Sequence, residues 1–348
     1  MDPNSGSAVL AEVARAMMQT VNETGWRPAR TIMFANWDAE EHGIIGSTEF
    51  VEEFTDILRQ RAVVYLNMDT IHGNMTLHVG TIPSLYRVIV EAAKRVENPS
   101  KSEKAKGRTT VYDTWLRLRP SHTPGLPQIP VPGGGSDHAA FLTYAGIPVV
   151  DFSYKNATIH DTYPLYHTMY ETPFVNEHLL DTDNFAVHRA IGQFWAELAR
   201  FFTDEAVLPF NTTELAVAIV KDYIPALGKA LTPLKYYQKA IEPAVEQLSH
   251  FTKAAQEFLN MCRNKRESYP GLQTRRALYA ARQAYSSRAK RAITCATVSS
   301  LYILFFSAQR CFINPRGSPT APQSRHVLYS ISEHDSYASR QMAAVYDA

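Results

Sequence analysis

The chain holds 348 residues, 45% hydrophobic and 20% charged, an ordinary globular composition with room for about two domains of roughly 150 residues. A formal net charge of +1 gives no electrostatic footprint for nucleic acid or an anionic membrane, so neither is expected as a partner. The three cysteines, Cys262, Cys295 and Cys311, fit neither a zinc knuckle nor a redox pair, and an odd count leaves one unpaired.

Along the chain, residues 7–20 place Ala8, Val9, Leu10, Val13, Ala16 and Met17 at helical spacing. Residues 31–37, Thr-Ile-Met-Phe-Ala-Asn-Trp, form a short apolar run that predicts a buried strand. Helical periodicity returns over 46–61, and residues 62–68 predict a second buried strand. A helix over 83–96, a Pro/Gly-rich loop over 120–135 and a third strand over 147–152 follow. Alternating helices and continuous apolar strands predict an α/β fold with a mixed, mainly parallel sheet. From about Asn176 the pattern is helical only, with amphipathic stretches at 186–202, 213–227 and 243–261. A boundary near Leu208-Pro209 divides residues 1–207 from an all-α part, 208–348. Residues 263–291 form a basic stretch, which predicts a solvated helix face.

In α/β sheets, functional groups collect beyond the carboxyl ends of the strands. The first predicted strand ends in Asp38-Ala39-Glu40-Glu41-His42-Gly43, and the second in Asn67-Met68-Asp69. Each acid singly suits a helix cap, but together they deliver several carboxylates to one sheet edge. Gly133-Gly134-Gly135-Ser136-Asp137-His138 is a glycine-rich turn entering a helix, which taken alone reads better as a plain turn and cap than as a ligand site. Tyr163-Pro164-Leu165-Tyr166-His167 sets an imidazole among tyrosines in a loop. Carboxylates and imidazoles suit a zinc pair, which needs about five ligands and a shared water. A carboxylate beside a ligating one can accept the water's proton, a division of labour open to Glu40 and Glu41.

These motifs together resemble the N-acetylated-alpha-linked acidic dipeptidase group of zinc exopeptidases, which includes glutamate carboxypeptidase II and the transferrin-receptor relatives. The start, Asp2-Pro3-Asn4-Ser5-Gly6, fits the same pattern, and the resemblance covers about 2–260 well and 309–348 more loosely. By position it implies that Asp2 bridges two zinc ions, that Glu41 and His167 hold one, and that Asp69 holds the other. It makes Glu40 the general base and Asp137 a group that orients a ligand from behind. Gly135, Ser136 and Tyr166 line the substrate site, and Glu49 with Glu52 contribute to a structural calcium site. Residues from 208 resemble a helical dimerisation domain, which implies a homodimer acting on peptides.

Three departures accompany the resemblance. The family's remaining zinc ligand is a histidine shortly before the Asp2 motif, so the chain is expected to be part of a longer protein whose membrane anchor lies upstream. Asp151 stands where glutamate carboxypeptidase II carries arginines for acidic groups; an aspartate there could hold a free amino terminus instead. Ser336-Tyr337 replaces a Lys-Tyr pair but keeps the tyrosine, and residues 263–307 diverge from the family pattern. Aminopeptidase or dipeptidyl-peptidase activity is therefore favoured over glutamate release. The competing expectation is a receptor-like protein that keeps the fold without catalysis.

No apolar run approaches the roughly 20 residues needed to cross a bilayer, and residues 1–6 lack signal-peptide character. Four Asn-x-Thr triplets, at Asn22, Asn74, Asn156 and Asn211, point to a secreted or cell-surface protein.

Overall fold

The computed structural model describes residues 2–156, 165–205, 207–231, 309–318, 321–332 and 335–341, with short pieces between 246 and 260. Helix α1 (Asn4–Thr24) buries Val9 and Val13 one turn apart and stops at Gly25, whose left-handed φ of 70° ends the helix. Helices α2 (Ile45–Glu53) and α3 (Thr55–Arg61) break at Phe54, dividing the helix predicted over 46–61. Strands β1 (Tyr65–Asn67) and β2 (Thr76–Thr81) follow. Next come α4 (Tyr86–Ala93), α5 (Lys101–Ala105), and α6 (Val111–Leu118), whose first turn closes through a Thr110–Asp113 capping box. Helix α7 (His138–Thr143) leads into β3 (Val149–Lys155).

The sheet runs β1-β3-β2, with β1 parallel to β3 and β2 antiparallel to it. It is mixed as predicted, although β2 replaces the expected parallel majority among the described residues. Its alternation, Thr76-Leu77-His78-Val79, is the strand signal that the predicted elements passed over. Strand β3 is central and buries Val149, Val150, Phe152 and Tyr154.

After α8 (Pro173–Val175), α9 (Ala186–Asp204) turns an almost unbroken apolar face inward: Val187, Ala190, Ile191, Phe194, Leu198, Phe201 and Phe202. Phe152 meets Phe194 edge-on with centroids 5.3 Å apart. Gly192 leaves room for Val9 and Val13, so α1 and α9 pack closely.

The strand predicted over 31–37 does not form. The segment is extended without ladder bonds, Met33 and Phe34 are exposed, and a cavity of about 620 Å³ separates it from β1. A strand requires a hydrogen-bonded neighbour, and this one meets β1 through a side-chain bond, Trp37 Nε1–H to Tyr65 Oη at 2.9 Å.

The stretch predicted to be all-helical begins with α10 (Thr212–Ala218), capped by Asn211 Oδ1, and α11 (Ile224–Leu231). It departs from helix at the antiparallel hairpin of β4 (Tyr329–Ile331) and β5 (Ser339–Gln341). Leu328 and Tyr329 are buried against α7, and they share one core with Leu208, Phe210 and Leu215. Apolar burial, not helical periodicity, determines where this segment lies. The stretch 263–307 and most of 243–261 fall outside the described residues.

Candidate metal centre

The site is assembled where α1, the turn after Trp37, the end of β1 and the 165–172 loop converge. Gly6 lets the start of α1 touch the chain after β1, because a Cβ there would collide with the carbonyls of Met68 and Asp69. Ser5 Oγ fixes this contact, accepting the N–H of Ile71 at 3.0 Å and meeting Thr70 Oγ1 at 3.1 Å. Asp2 and Asp69 are thereby brought side by side.

The 38–46 turn is wound tightly. Asp38 accepts the N–H of Gly46 at 3.1 Å, and Glu40 accepts that of Ile44 at 2.7 Å, with Ala39 and Ile44 at positive φ. This winding turns Glu40 and Glu41 toward the same cluster. His167, also left-handed at φ 56°, stacks on Tyr166 with ring centroids 3.8 Å apart. Its Nε2 lies 2.6 Å from Glu41 Oε2 and 3.7 Å from Asp2 Oδ2. Asp2, Glu41 and His167 offer ligand atoms that all fall within 4.8 Å of one another.

Electrostatics at this spot call for a cation. Burial first, then Asp69 beside it, pushes the Asp2 carboxyl up to about 8. Burial and the charges of Asp69, Asp137 and Glu41 push Glu40 up to about 7. Burial is also the main cause that raises Asp137. Among the described residues, buried Asp69 Oδ1 has no hydrogen-bond partner. Crowded carboxylates, an orphaned oxygen and an imidazole form a donor set that fits zinc.

Around the cluster, Asn67 Nδ2–H donates to Ser136 Oγ at 3.0 Å and to Asp151 Oδ1 at 2.9 Å. The parallel register pairs Asn67 with Asp151, so Asp151 stands on the adjacent strand beside the chain that ends in Asp69. Ser136 is buried, while Asp151 is about one-third exposed. Tyr337, from the β4–β5 hairpin, covers Gly135 so closely that a Cβ there would strike its ring. Tyr166 and Tyr337 meet hydroxyl to hydroxyl at 3.0 Å.

Residues 1–189 match the family described as Peptidase family M28. The chain belongs to this family. It is 53% identical over its whole length to the Glutamate carboxypeptidase 2 homologs of Caenorhabditis briggsae and Caenorhabditis elegans. It is 32% identical over 95% of its length to mouse Aminopeptidase NAALADL1, and 32% identical over all of it to Probable glutamate carboxypeptidase LAMP1 of Arabidopsis thaliana. The chain spans 41% to 44% of the length of these relatives.

The sequence resemblance thus leads to the right family, and M28 peptidases are metal-dependent, typically on zinc. The structure brings Asp2, Glu40, Glu41, Asp69, Asp137 and His167 of this M28 chain to one place. Glu49 and Glu52 stand elsewhere, exposed one turn apart on α2, and among the described residues they join no cluster of three donors. Asn67 and His138 stand within motifs that the sequence singles out but received no role there, and Glu171 was not among the candidate site residues. His138 is buried, with Nε2–H donating to Gly133 O at 2.8 Å, so it pins the glycine turn. Asn67 sits inside an apolar strand, and a buried amide there was a signal for a polar partner.

Proposed function

We propose that the protein to which this chain belongs is a zinc-dependent exopeptidase acting on small peptides, with Glu40 as general base. The observation that carries this reading is the meeting of Asp2, Glu41 and His167 ligand atoms within 4.8 Å, beside a carboxylate pushed up to about 7. Asp2, Glu41 and His167 would hold one zinc, and Asp2 with Asp69 a second. When bound, the metal pair lowers the pKa of a water and polarises the scissile carbonyl. Glu40 would serve as the base that accepts a proton from the attacking water and delivers it to the departing amine, a task suited to a carboxyl pushed up to about 7. Asp137, half-buried behind the cluster, orients a ligating carboxylate.

For substrate choice, Asp151 supports a peptide with a free amino terminus. Its carboxylate accepts from Asn67 and lies 3.7 Å from His138 Nδ1, and no lysine or arginine among the described residues forms a salt bridge with it. Gly135, Ser136, Tyr166 and Tyr337 would line the same cleft. The resemblance supports a homodimer formed through the helices after Leu208, and the four Asn-x-Thr triplets support a secretory or cell-surface route. The names of the relatives divide between glutamate carboxypeptidase and aminopeptidase, so the amino-terminal preference is the finer claim.

The test is zinc content together with hydrolysis of dipeptides by the intact protein, before and after chelation. Chelator-sensitive turnover restored by zinc is the expected result. Absence of both zinc and turnover would leave a receptor-like protein that keeps the fold.

A further inference from the structure

Asp2 and His167 come from distant parts of the chain, and neither lies inside a regular element. Asp2 precedes α1, and His167 stands at left-handed φ in a loop. Like charge works against their neighbourhood, since the carboxylates of Asp2 and Glu41 offer ligand atoms within 4.8 Å of one another beside His167. The two segments therefore need a tether that does not depend on the cation.

Glu171 supplies one. Its Oε2 accepts the backbone N–H of Asp2 at 3.2 Å, which joins the start of α1 to the loop that carries His167. Local hydrogen bonds brace the loop from Leu165 to Glu171. Thr168 N–H bonds Leu165 O at 3.0 Å, Glu171 N–H bonds Thr168 O at 3.2 Å, and Thr168 Oγ1 bonds Leu165 O at 2.7 Å. A displacement at Glu171 is thus carried to His167. The segment that carries Asp69 is fixed separately to β3, with His72 N–H on Tyr154 O at 3.0 Å. One half-buried side chain therefore joins two of the four segments that carry candidate ligands.

We propose that Glu171 is a positioning residue for the metal centre, holding Asp2 and His167 at ligating separation through its bond to the Asp2 main chain. This rests on the zinc reading above. A hydrogen bond from a backbone N–H to a side-chain oxygen is directional, so its reach suits a fixed spacing. Groups behind the ligands of known metal sites commonly govern metal affinity in this way.

The test measures zinc affinity of the intact protein by competition with a chromogenic chelator, alongside the thermal midpoint of the metal-free form. Glu171→Ala should weaken zinc binding by about 10-fold to 100-fold, with the metal-free midpoint within about 2 °C of wild type. Glu171→Gln keeps an acceptor oxygen at the same reach and should stay within about threefold of wild type. Glu171→Asp keeps the charge but draws the acceptor back by one methylene, and should weaken zinc binding despite its charge. If the alanine variant fails to fold, the glutamine and aspartate variants carry the test. Wild-type affinity in Glu171→Ala, or equal losses in the alanine and glutamine variants, would overturn the proposal while leaving the metal reading intact. A wild-type protein that takes up no zinc overturns both.

Discussion

His167 Nε2 approaches Glu41 Oε2 to 2.6 Å, although one residue sits in the loop beyond β3 and the other in the turn after Trp37. Both exposed side chains bring ligand atoms within 4.8 Å of Asp2. The arrangement concentrates negative charge at one point, and its stability must depend on what neutralises that charge.

With no metal, protons do so. Asp2 is raised to about 8 and Glu40 to about 7, so the folded protein keeps protons that the unfolded chain releases near pH 4. The folded state binds more protons across that window, and stability of the metal-free form falls as pH rises from about 4 to 8. Zinc competes best once those protons leave. The gain in thermal midpoint on adding zinc should be larger at pH 8 than at pH 5.5; equal gains would show that the carboxylates do not bind it.

Glu40 is the only member of the cluster assigned to proton transfer without ligation. Glu40→Gln keeps its shape and removes its basicity. Turnover should fall by about 10² to 10⁴, the range typical of a lost general base, while zinc content stays unchanged. Retained turnover would remove Glu40 from the mechanism, and lost zinc would make it a ligand.

Asp151 carries the prediction on specificity. Wild-type protein should hydrolyse a dipeptide with a free amino terminus faster than its N-acetylated form. Asp151→Asn should reduce that ratio by about tenfold, on the scale of a hydrogen bond to a charged group. Preference for the acetylated, acidic substrate would reverse the assignment.

How much of this was legible in the sequence differed by element. The 67–69 motif was legible because position at a strand end fixes where such groups emerge, and the 38–43 motif because two adjacent carboxylates suit a base and a ligand, although no strand precedes them. Helix α9 was legible because its apolar residues recur at helical spacing over five turns. The strand at 31–37 was over-read, since periodicity reports burial tendency and cannot supply the neighbour that a ladder requires. The β4–β5 hairpin was missed because short strands whose partner is local leave little pattern. Glu171 and Asn67 received no role from the sequence because their hydrogen bonds reach segments far away along the chain.

Gly6 shows how a residue with no chemistry of its own can control the site. Its missing Cβ lets α1 lie against the carbonyls of Met68 and Asp69, the contact that sets Asp2 beside Asp69. Gly6→Ala should push the start of α1 outward and cost about 1 to 3 kcal/mol, the usual range for overpacking. The same shift should weaken zinc binding, because Asp2 precedes this turn. Gly228→Ala provides the comparison: that glycine lies within α11, and no described residue comes inside 4 Å of a built Cβ. There, alanine should be neutral or stabilise by about 0.5 to 1 kcal/mol through helix preference alone. Chemical denaturation of both variants measures the contrast, and equal behaviour would mean that α1 does not rest on the end of β1 as tightly as the Gly6 contact requires.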